Sequence, residues 1–279
     1  MKIEKINPHG YCGGVIKALN TTLEAINSAP KPIYMIGKVI HNDIVCNELE
    51  KQGLIIKTNE KCDAINEIEN GTVIFTAHGT DEKLIDIANN KNLNVINTVC
   101  SKVSIIHRNI KKHLESHTIL YIGVKSHPEC EAILSISNDI ILINDVNDLN
   151  LLDKSKKYYI TNQTTLSLLK LNSLYDYAKN NFKDITIDNK ICLATTKRQE
   201  GVLNTNADFI IVVGDKKSSN TNELYNLSKQ KCDSILVSEC SEITNINLSQ
   251  YNNIKITSGA STPEYIVDEI IEFINKTYL

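Results

Sequence analysis

The sequence lacks long hydrophobic runs, and neither sign of charge is in strong excess. Its longest apolar stretches, such as residues 209–213 (FIIVV), have the length of a strand and are too short to span a bilayer. The N-terminal residues contain no apolar signal-peptide core. With 30 Lys and Arg against 33 Asp and Glu, the net charge is −3, which argues against a general binder of nucleic acid. We therefore expect a cytoplasmic protein, or a stromal one freed of its transit peptide, with no membrane or nucleic-acid partner.

Several common motifs are also missing. There is no Walker P-loop and no G-x-G-x-x-G sequence, which argues against a nucleotide as ligand. None of the eight cysteines forms the C-x-x-C pair that many zinc sites use. Disulfides are rare in the cytoplasm, so most of these thiols are expected to pack as small apolar side chains.

Short apolar, β-branched runs alternate with stretches of helical periodicity. This pattern predicts an α/β fold with mostly parallel sheets covered on both faces. The predicted strands are residues 2–6, 32–36, 72–77, 94–97, 118–123, 140–143, 157–161, 185–187, 209–214, 234–238 and 254–258. The predicted helices include residues 14–28, 42–52, 81–91, 101–116, 167–182, 219–230 and 263–277.

Three cysteines share one placement, between a predicted strand and a predicted helix. They are Cys12, Cys100 and Cys192, separated by 88 and 92 residues. The repeat predicts three similar α/β modules around a pseudo-threefold axis, which would bring the three thiols together at ligand-binding sheet edges. The predicted modules are residues 14–97, residues 98–190, and residues 191–279 together with residues 1–13.

Three convergent thiolates suit a 4Fe–4S cluster that keeps one iron open to a ligand. Helix N-termini beside the sulfurs would stabilise the thiolates. The alternative is that all three are buried core cysteines. The other five cysteines lack the repeated placement and are interpreted as core residues: Cys46, Cys62, Cys130, Cys232 and Cys240.

Histidines and small polar residues also collect at predicted strand ends. His41, His78 and His127 each end a strand-like run, which favours one shared ligand site, although a single such histidine is often structural. Hydroxyl and amide groups near helix starts suit an anion such as a diphosphate, although each could be a plain helix cap. They are Thr164, Ser218, Ser219, Asn220 and Ser261.

Glu129 follows His127 and Pro128 at a predicted helix start. Its carboxyl could deliver a proton at the site. The alternative is an ordinary first-turn glutamate that the helix dipole favours. Likewise, Asn220 and Glu223 have the spacing of a capping box. His107, His113 and His117 are interpreted as surface residues of a polar helix or of the turn after it.

Taken together, these motifs closely resemble the 4-hydroxy-3-methylbut-2-enyl diphosphate reductase (IspH/LytB) family, from about residue 3 to residue 275. The matching segments include NPHGYCGGV, VIHN, TAHG, HPE, QTTLS, ICLATTKRQ and SSNTN. The resemblance implies a trefoil of three modules around a central iron–sulfur site. It also implies reductive removal of an allylic hydroxyl, giving isopentenyl and dimethylallyl diphosphate as the last step of the non-mevalonate isoprenoid pathway.

The resemblance further implies roles for individual residues. Cys12, Cys100 and Cys192 would hold one 4Fe–4S cluster, and Glu129 would supply the proton with help from His127 and Thr164. A ferredoxin or flavodoxin would bring the electrons. The diphosphate would be held by His41, His78, Ser218, Ser219, Asn220 and Ser261.

The chain departs from the family pattern at two places. Around the second cysteine the family usually has D-A-T-C-P, whereas Ser101 follows Cys100 here; after HPE, Ala132 stands where glycine is usual. Two other hypotheses stay open: a metal-stabilised binding module for phosphorylated metabolites, and an α/β scaffold without metal whose cysteines are core residues.

Overall fold

A computed structural model describes residues 1–58 and 60–278 of the protein. Its strands are β1 Lys2–Lys5, β2 Ile33–Ile36, β3 Leu54–Lys57, β4 Thr72–Phe75, β5 Asn94–Asn97, β6 Thr118–Ile122, β7 Ile141–Ile143, β8 Lys157–Asn162, β9 Asp184–Asp188, β10 Phe209–Val213, β11 Asp233–Val237 and β12 Asn253–Ser258. Its α-helices are α1 Gly13–Ser28, α2 Asp43–Lys51, α3 Lys61–Asn66, α4 Glu82–Asn90, α5 Ser101–His113, α6 Pro128–Leu134, α7 Val146–Asn150, α8 Leu168–Asn181, α9 Leu193–Asn204, α10 Ser219–Lys231 and α11 Glu264–Tyr278. A short 3₁₀-helix spans Cys240–Ile243.

The strands form three four-stranded sheets, in which neighbouring strands pair in parallel. The strand orders are β1-β12-β10-β11, β3-β2-β4-β5 and β7-β6-β8-β9. The expected α/β class with three parallel-sheet modules is therefore confirmed. Each sheet takes its strands from one predicted module, but the module boundaries stay a prediction, and residues 59 and 279 lie outside the described residues.

The chain divides into two compact units. The terminal unit consists of residues 1–15, 41–43 and 192–279, and it contains the sheet that includes β1 and β12. The middle unit consists of residues 16–40 and 44–191, and it contains the other two sheets.

Burial explains why the central strands β4 and β10 are mainly apolar. All residues of β4 and β10 are buried, so these strands show continuous apolar runs instead of alternation. Helices cover such strands and turn an amphipathic face inward; α4, for example, buries Leu84 and Ala88. Among the described residues, no helix combines the length and the apolar character needed to cross a bilayer.

Besides the 3₁₀-helix, three short elements were not predicted from the sequence. The strand β3 has four residues, lies at an edge of its sheet and leaves Ile55 41% exposed. The helices α3 and α7 have six and five residues, which is less than two turns. A run this short shows no reliable periodicity.

Gly71 has a conformation and a packing position that only glycine fits. Its φ is +98°, and a Cβ there would lie 2.2 Å from the carbonyl oxygen of Pro32. Gly53 has a similar φ of +101°, but a Cβ there would meet nothing within 4 Å.

We expect Gly53→Ala to cost about 1 kcal/mol of stability, because of its positive φ alone. We expect Gly71→Ala to cost about 3 kcal/mol or more, because the backbone must also move to admit the Cβ. Thermal unfolding of both variants checks this; equal losses would contradict it.

Candidate active site

The predicted site residues all follow the carboxyl ends of parallel strands. The preceding strand is β1 for Cys12, β2 for His41, β4 for His78, β5 for Cys100, β6 for His127, β8 for Thr164, β9 for Cys192, β10 for Ser218 and β12 for Ser261. In parallel sheets these ends meet at one edge, where ligands commonly bind. Cys12, His41, Cys192, Ser218 and Ser261 belong to the terminal unit, and the others belong to the middle unit.

Two predicted thiols of the terminal unit lie near a buried guanidinium. Cys12 directly precedes α1, and Cys192 is the N-cap of α9. Arg198 is 2% exposed and donates from Nη2 to the carbonyl oxygen of Gly10 at 2.6 Å. Burial lowers the pKa of Arg198, while the charges of Cys12 and Cys192 act to raise it. No carboxylate among the described residues forms an ion pair with Arg198. A buried cation without such a partner would stabilise thiolates nearby and any negatively charged group that they bind.

The start of α10 contributes buried polar groups to the same unit. Ser218 is its N-cap and accepts a hydrogen bond from the Thr221 amide at 3.4 Å. Asn220 is 4% exposed, and neither Nδ2 nor Oδ1 has a hydrogen-bond partner among the described residues. A buried amide without partners is costly, so these atoms favour a polar ligand there. Because the helix begins at Ser219, the alternative capping box of Asn220 and Glu223 is wrong.

Ser261 connects two further segments of the terminal unit. Its Oγ donates to the carbonyl oxygen of His41 at 3.0 Å, and its own carbonyl accepts from Asn42 Nδ2 at 3.2 Å. The same loop approaches α10 closely, because a Cβ at Gly259 would lie 2.1 Å from Thr221 Oγ1. The terminal unit thus contains five of the predicted diphosphate-binding residues, which are His41, Ser218, Ser219, Asn220 and Ser261.

The middle unit brings the third thiol close to two histidines. Cys100 is the N-cap of α5, and its amide donates to the carbonyl oxygen of Ala77 at 3.0 Å. The next residue, His78, packs edge to face against His127, with ring centroids 5.8 Å apart. His127 accepts a hydrogen bond at Nδ1 from the Glu129 amide at 3.2 Å. A neutral imidazole that accepts at Nδ1 carries its proton on Nε2.

Glu129 lies beside this histidine pair and is 1% exposed. Its Oε1 accepts from the Thr164 amide at 2.9 Å and from the Tyr121 hydroxyl at 3.3 Å, and its Oε2 accepts from Thr164 Oγ1 at 2.9 Å. These bonds favour the carboxylate, but burial outweighs them and raises the pKa of Glu129 to about 7. At neutral pH the carboxyl therefore holds its proton about half of the time, as a general acid requires.

Two residues of these clusters carry no signal in the sequence that would predict their contacts. Arg198 belongs to the quoted segment ICLATTKRQ, but its contact with Gly10 joins residues 188 positions apart. Tyr121 occupies an apolar strand run, where nothing marks its hydroxyl as a partner of Glu129. His107 was interpreted as a surface residue, yet it is only partly exposed, and its Nε2 would lie 3.1 Å from a Cβ at Gly79.

Within residues 1–58 and 60–278, no group of three or more His, Cys, Asp or Glu side chains is placed to hold a metal ion. The set of three thiols as metal ligands therefore stays a prediction. What each unit does have is a half-exposed thiol directly before a helix of at least 12 residues, the position that favours a thiolate.

The fold and these side chains define a class: an α/β protein with thiols, buried polar groups without partners among the described residues, and a buried acid at the carboxyl edges of parallel sheets. Comparison with known proteins identifies the family within this class. Residues 3–275 match the family model described as LytB protein. The chain therefore belongs to the LytB protein family.

Several relatives of the chain are named as diphosphate reductases. A protein of Lysinibacillus sphaericus named 4-hydroxy-3-methylbut-2-enyl diphosphate reductase is 39% identical, over 99% of this chain and 88% of the relative. One of the same name from Bacillus licheniformis is 36% identical, over 99% and 91%. The solved E-1-hydroxy-2-methyl-but-2-enyl-4-diphosphate reductase of Plasmodium falciparum matches with a TM-score of 0.88 and 33% identity, over 98% of this chain and 87% of that one.

The Tyr121 hydroxyl is expected to lower the pKa of Glu129, because it donates to the charged form of the carboxyl. Tyr121→Phe should therefore raise that pKa further, which carbon-13 NMR titration of labelled glutamate can measure. Tyr175→Phe is the matched control, since its buried hydroxyl donates to Asn162 Oδ1 instead. A Glu129 pKa that moves equally in both variants would contradict the assigned contact.

Proposed function

We propose that the protein reduces (E)-4-hydroxy-3-methylbut-2-enyl diphosphate to isopentenyl diphosphate and dimethylallyl diphosphate, the last step of the non-mevalonate pathway. The reaction consumes two electrons and two protons: the allylic C–O bond breaks, the hydroxyl leaves as water, and a C–H bond forms at one end of the allyl unit. Membership of the LytB protein family over residues 3–275 supports this function. The structural observation that carries it is the buried Glu129 with a pKa of about 7.

Cys12, Cys100 and Cys192 would hold a 4Fe–4S cluster with one iron free of protein ligands. When bound, such a cluster supplies electrons one at a time and an open iron for the substrate's oxygen. The chain's own contribution is electrostatic. Each sulfur precedes a helix N-terminus, and Arg198 places a buried positive charge near Cys12 and Cys192.

The diphosphate would bind to His41, His78, Ser218, Ser219, Asn220 and Ser261. Asn220 supports this assignment best, because its buried Nδ2 lacks a partner among the described residues and would donate to a phosphate oxygen. Ser218 and Ser219 stand at the start of the 13-residue helix α10, whose dipole favours an anion.

Glu129 would deliver a proton to the substrate, with His127 and Thr164 as positioning residues. Thr164 fixes both carboxyl oxygens with two hydrogen bonds, and His127 binds the Glu129 amide. The carboxyl is neutral when it gives its proton, and the three donors around it stabilise the carboxylate left behind.

Further parts of the proposal concern partners and location. The electrons would come from a ferredoxin or a flavodoxin, each of which transfers them singly. A cytoplasmic location and the three module ranges, 14–97, 98–190 and 191–279 with 1–13, belong to the proposal in the same way.

The deciding experiment is anaerobic turnover of the hydroxy-diphosphate with an artificial one-electron reductant. We expect both isomeric diphosphates as products, and failure of cluster-loaded protein to form them would overturn the function.

Glu129→Gln should keep substrate binding but lose about 100-fold or more in turnover, since general acids contribute at least that much. Full activity of this variant would refute the proton role.

The same substitution has a consequence for stability that does not depend on turnover. The pKa of Glu129 rises from 4.5 to about 7 on folding, so native stability is lost as pH rises through that interval. Glu129→Gln removes this loss and should stabilise the protein by up to about 3 kcal/mol at pH 8, with no gain at pH 4. Thermal unfolding at both pH values measures it; an equal change at both would contradict the raised pKa.

The three-cysteine ligand set is tested by iron content after anaerobic purification. Cys100→Ser and Cys192→Ser should each lose most of the bound iron and the broad absorbance near 400 nm expected of a 4Fe–4S protein (about four irons per chain). Cys62→Ser is the matched control, because Cys62 is exposed and lies outside the set. Iron retained in all three variants, or zinc found instead, would exclude the cluster assignment.

A further inference from the structure

A groove opens next to Cys100, and the proposed function does not use it. It encloses about 530 Å³ and belongs entirely to the middle unit. Its walls come from α1, from the turn between β5 and α5, and from the first half of α5. Ser101, Ser104, Ile105 and Arg108 face it at the i, i+3, i+4 and i+7 spacing of one helix face.

The groove is positively charged, although the chain as a whole carries −3. Lys17 and Arg108 line it, both are exposed, and no Asp or Glu is among the lining residues. In the part of the chain that the structure describes, neither cation forms an ion pair, and the same holds for the exposed Lys102 and Lys112 of α5. Unpaired cations on one face favour an acidic partner.

Apolar side chains lie among these charges. Val99 and Ile105 line the groove and are partly buried, and Ile16, next to Lys17, leaves 46% of its surface exposed. An apolar centre with a charged rim is the usual composition of a protein–protein interface. A small free anion would make no use of these apolar side chains.

The groove also offers a short approach to Cys100. This cysteine directly precedes α5, and on the α5 side the groove residues that follow it, Ser101 and Ser104, have small side chains. Electron transfer slows steeply with distance, so a carrier protein must dock close to a cluster ligand. Small residues beside Cys100 leave room for that contact.

We propose that this groove is the docking site of an acidic one-electron carrier protein, which reduces the enzyme from the Cys100 side. The inference rests on the proposed function, because a carrier is needed only if a cluster must be reduced. In each encounter the carrier is oxidised by one electron, and two encounters complete one turnover.

The test reverses the two groove cations in the double variant Lys17→Glu/Arg108→Glu. The probe is a purified acidic flavodoxin, and anaerobic binding is measured by fluorescence anisotropy together with turnover driven by the reduced flavodoxin. We expect affinity to fall about tenfold or more at low salt, with a smaller difference at high salt, because rim charges act through screened attraction. Turnover with the artificial reductant should stay unchanged, which also shows that the variant is folded.

The control is Lys170→Glu/Lys183→Glu, which changes the net charge equally outside the groove, on α8 and just before β9. Equal loss of flavodoxin affinity in both double variants, or none in the groove variant, would overturn the docking site. A changed sedimentation coefficient with unchanged flavodoxin affinity would assign the groove to contacts between copies and also overturn it. Absence of turnover with the artificial reductant in the unmodified protein would instead overturn the proposed function.

Discussion

The parallel pairing of every strand with its neighbours is the constraint on which the sites depend. A parallel pair needs a crossover, and here the crossovers are mostly helical, so helices start near the edge where strands end. Residues in those turns therefore lie at the positive end of a helix dipole, and no long-range contact is needed to place them there. That one rule places thiols before α1, α5 and α9 and hydroxyls at the start of α10.

Burial then decides what the polar groups at these edges can do. A carboxyl in water would be ionised at neutral pH, whereas Glu129 is kept near half-protonation by the loss of hydration. Three donated hydrogen bonds hold the pKa of Glu129 from rising further. Asn220 differs from Glu129, because its buried amide has no hydrogen-bond partner among the described residues. A bound ligand could supply that partner.

Much of this arrangement could be predicted from the sequence, because strand ends and helix starts are local features. The positions of Cys100 and His78 after β5 and β4 needed only apolar runs and their boundaries. Contacts across the fold could not be predicted, since nothing near Tyr121 or Arg198 in the sequence indicates which group each would meet. The partial burial of His107 is a contact of the same kind: its helix is polar, and nothing near it in the sequence indicates that its Nε2 lies beside Gly79.

The charged groups around Glu129 differ from those around the thiols of Cys12 and Cys192. An acid needs surroundings that favour its protonated form, whereas a metal-binding thiol needs surroundings that favour its ionised form. The pKa of Glu129 is set by burial and by the neutral donors Thr164 and Tyr121, with no lysine, arginine or charged histidine of the described residues among its causes. A nearby cation would hold the carboxyl ionised and remove the proton that a general acid must give. Cys130, beside it, stays a neutral thiol because burial raises its pKa to about 11, so it adds no charge either. Thiols that are to bind a metal need the reverse, a cation that favours the thiolate, and Arg198 supplies it to Cys12 and Cys192. A chain that kept the motifs but exchanged these two environments would place a cation beside the proton of Glu129 and would remove the positive charge near Cys12 and Cys192.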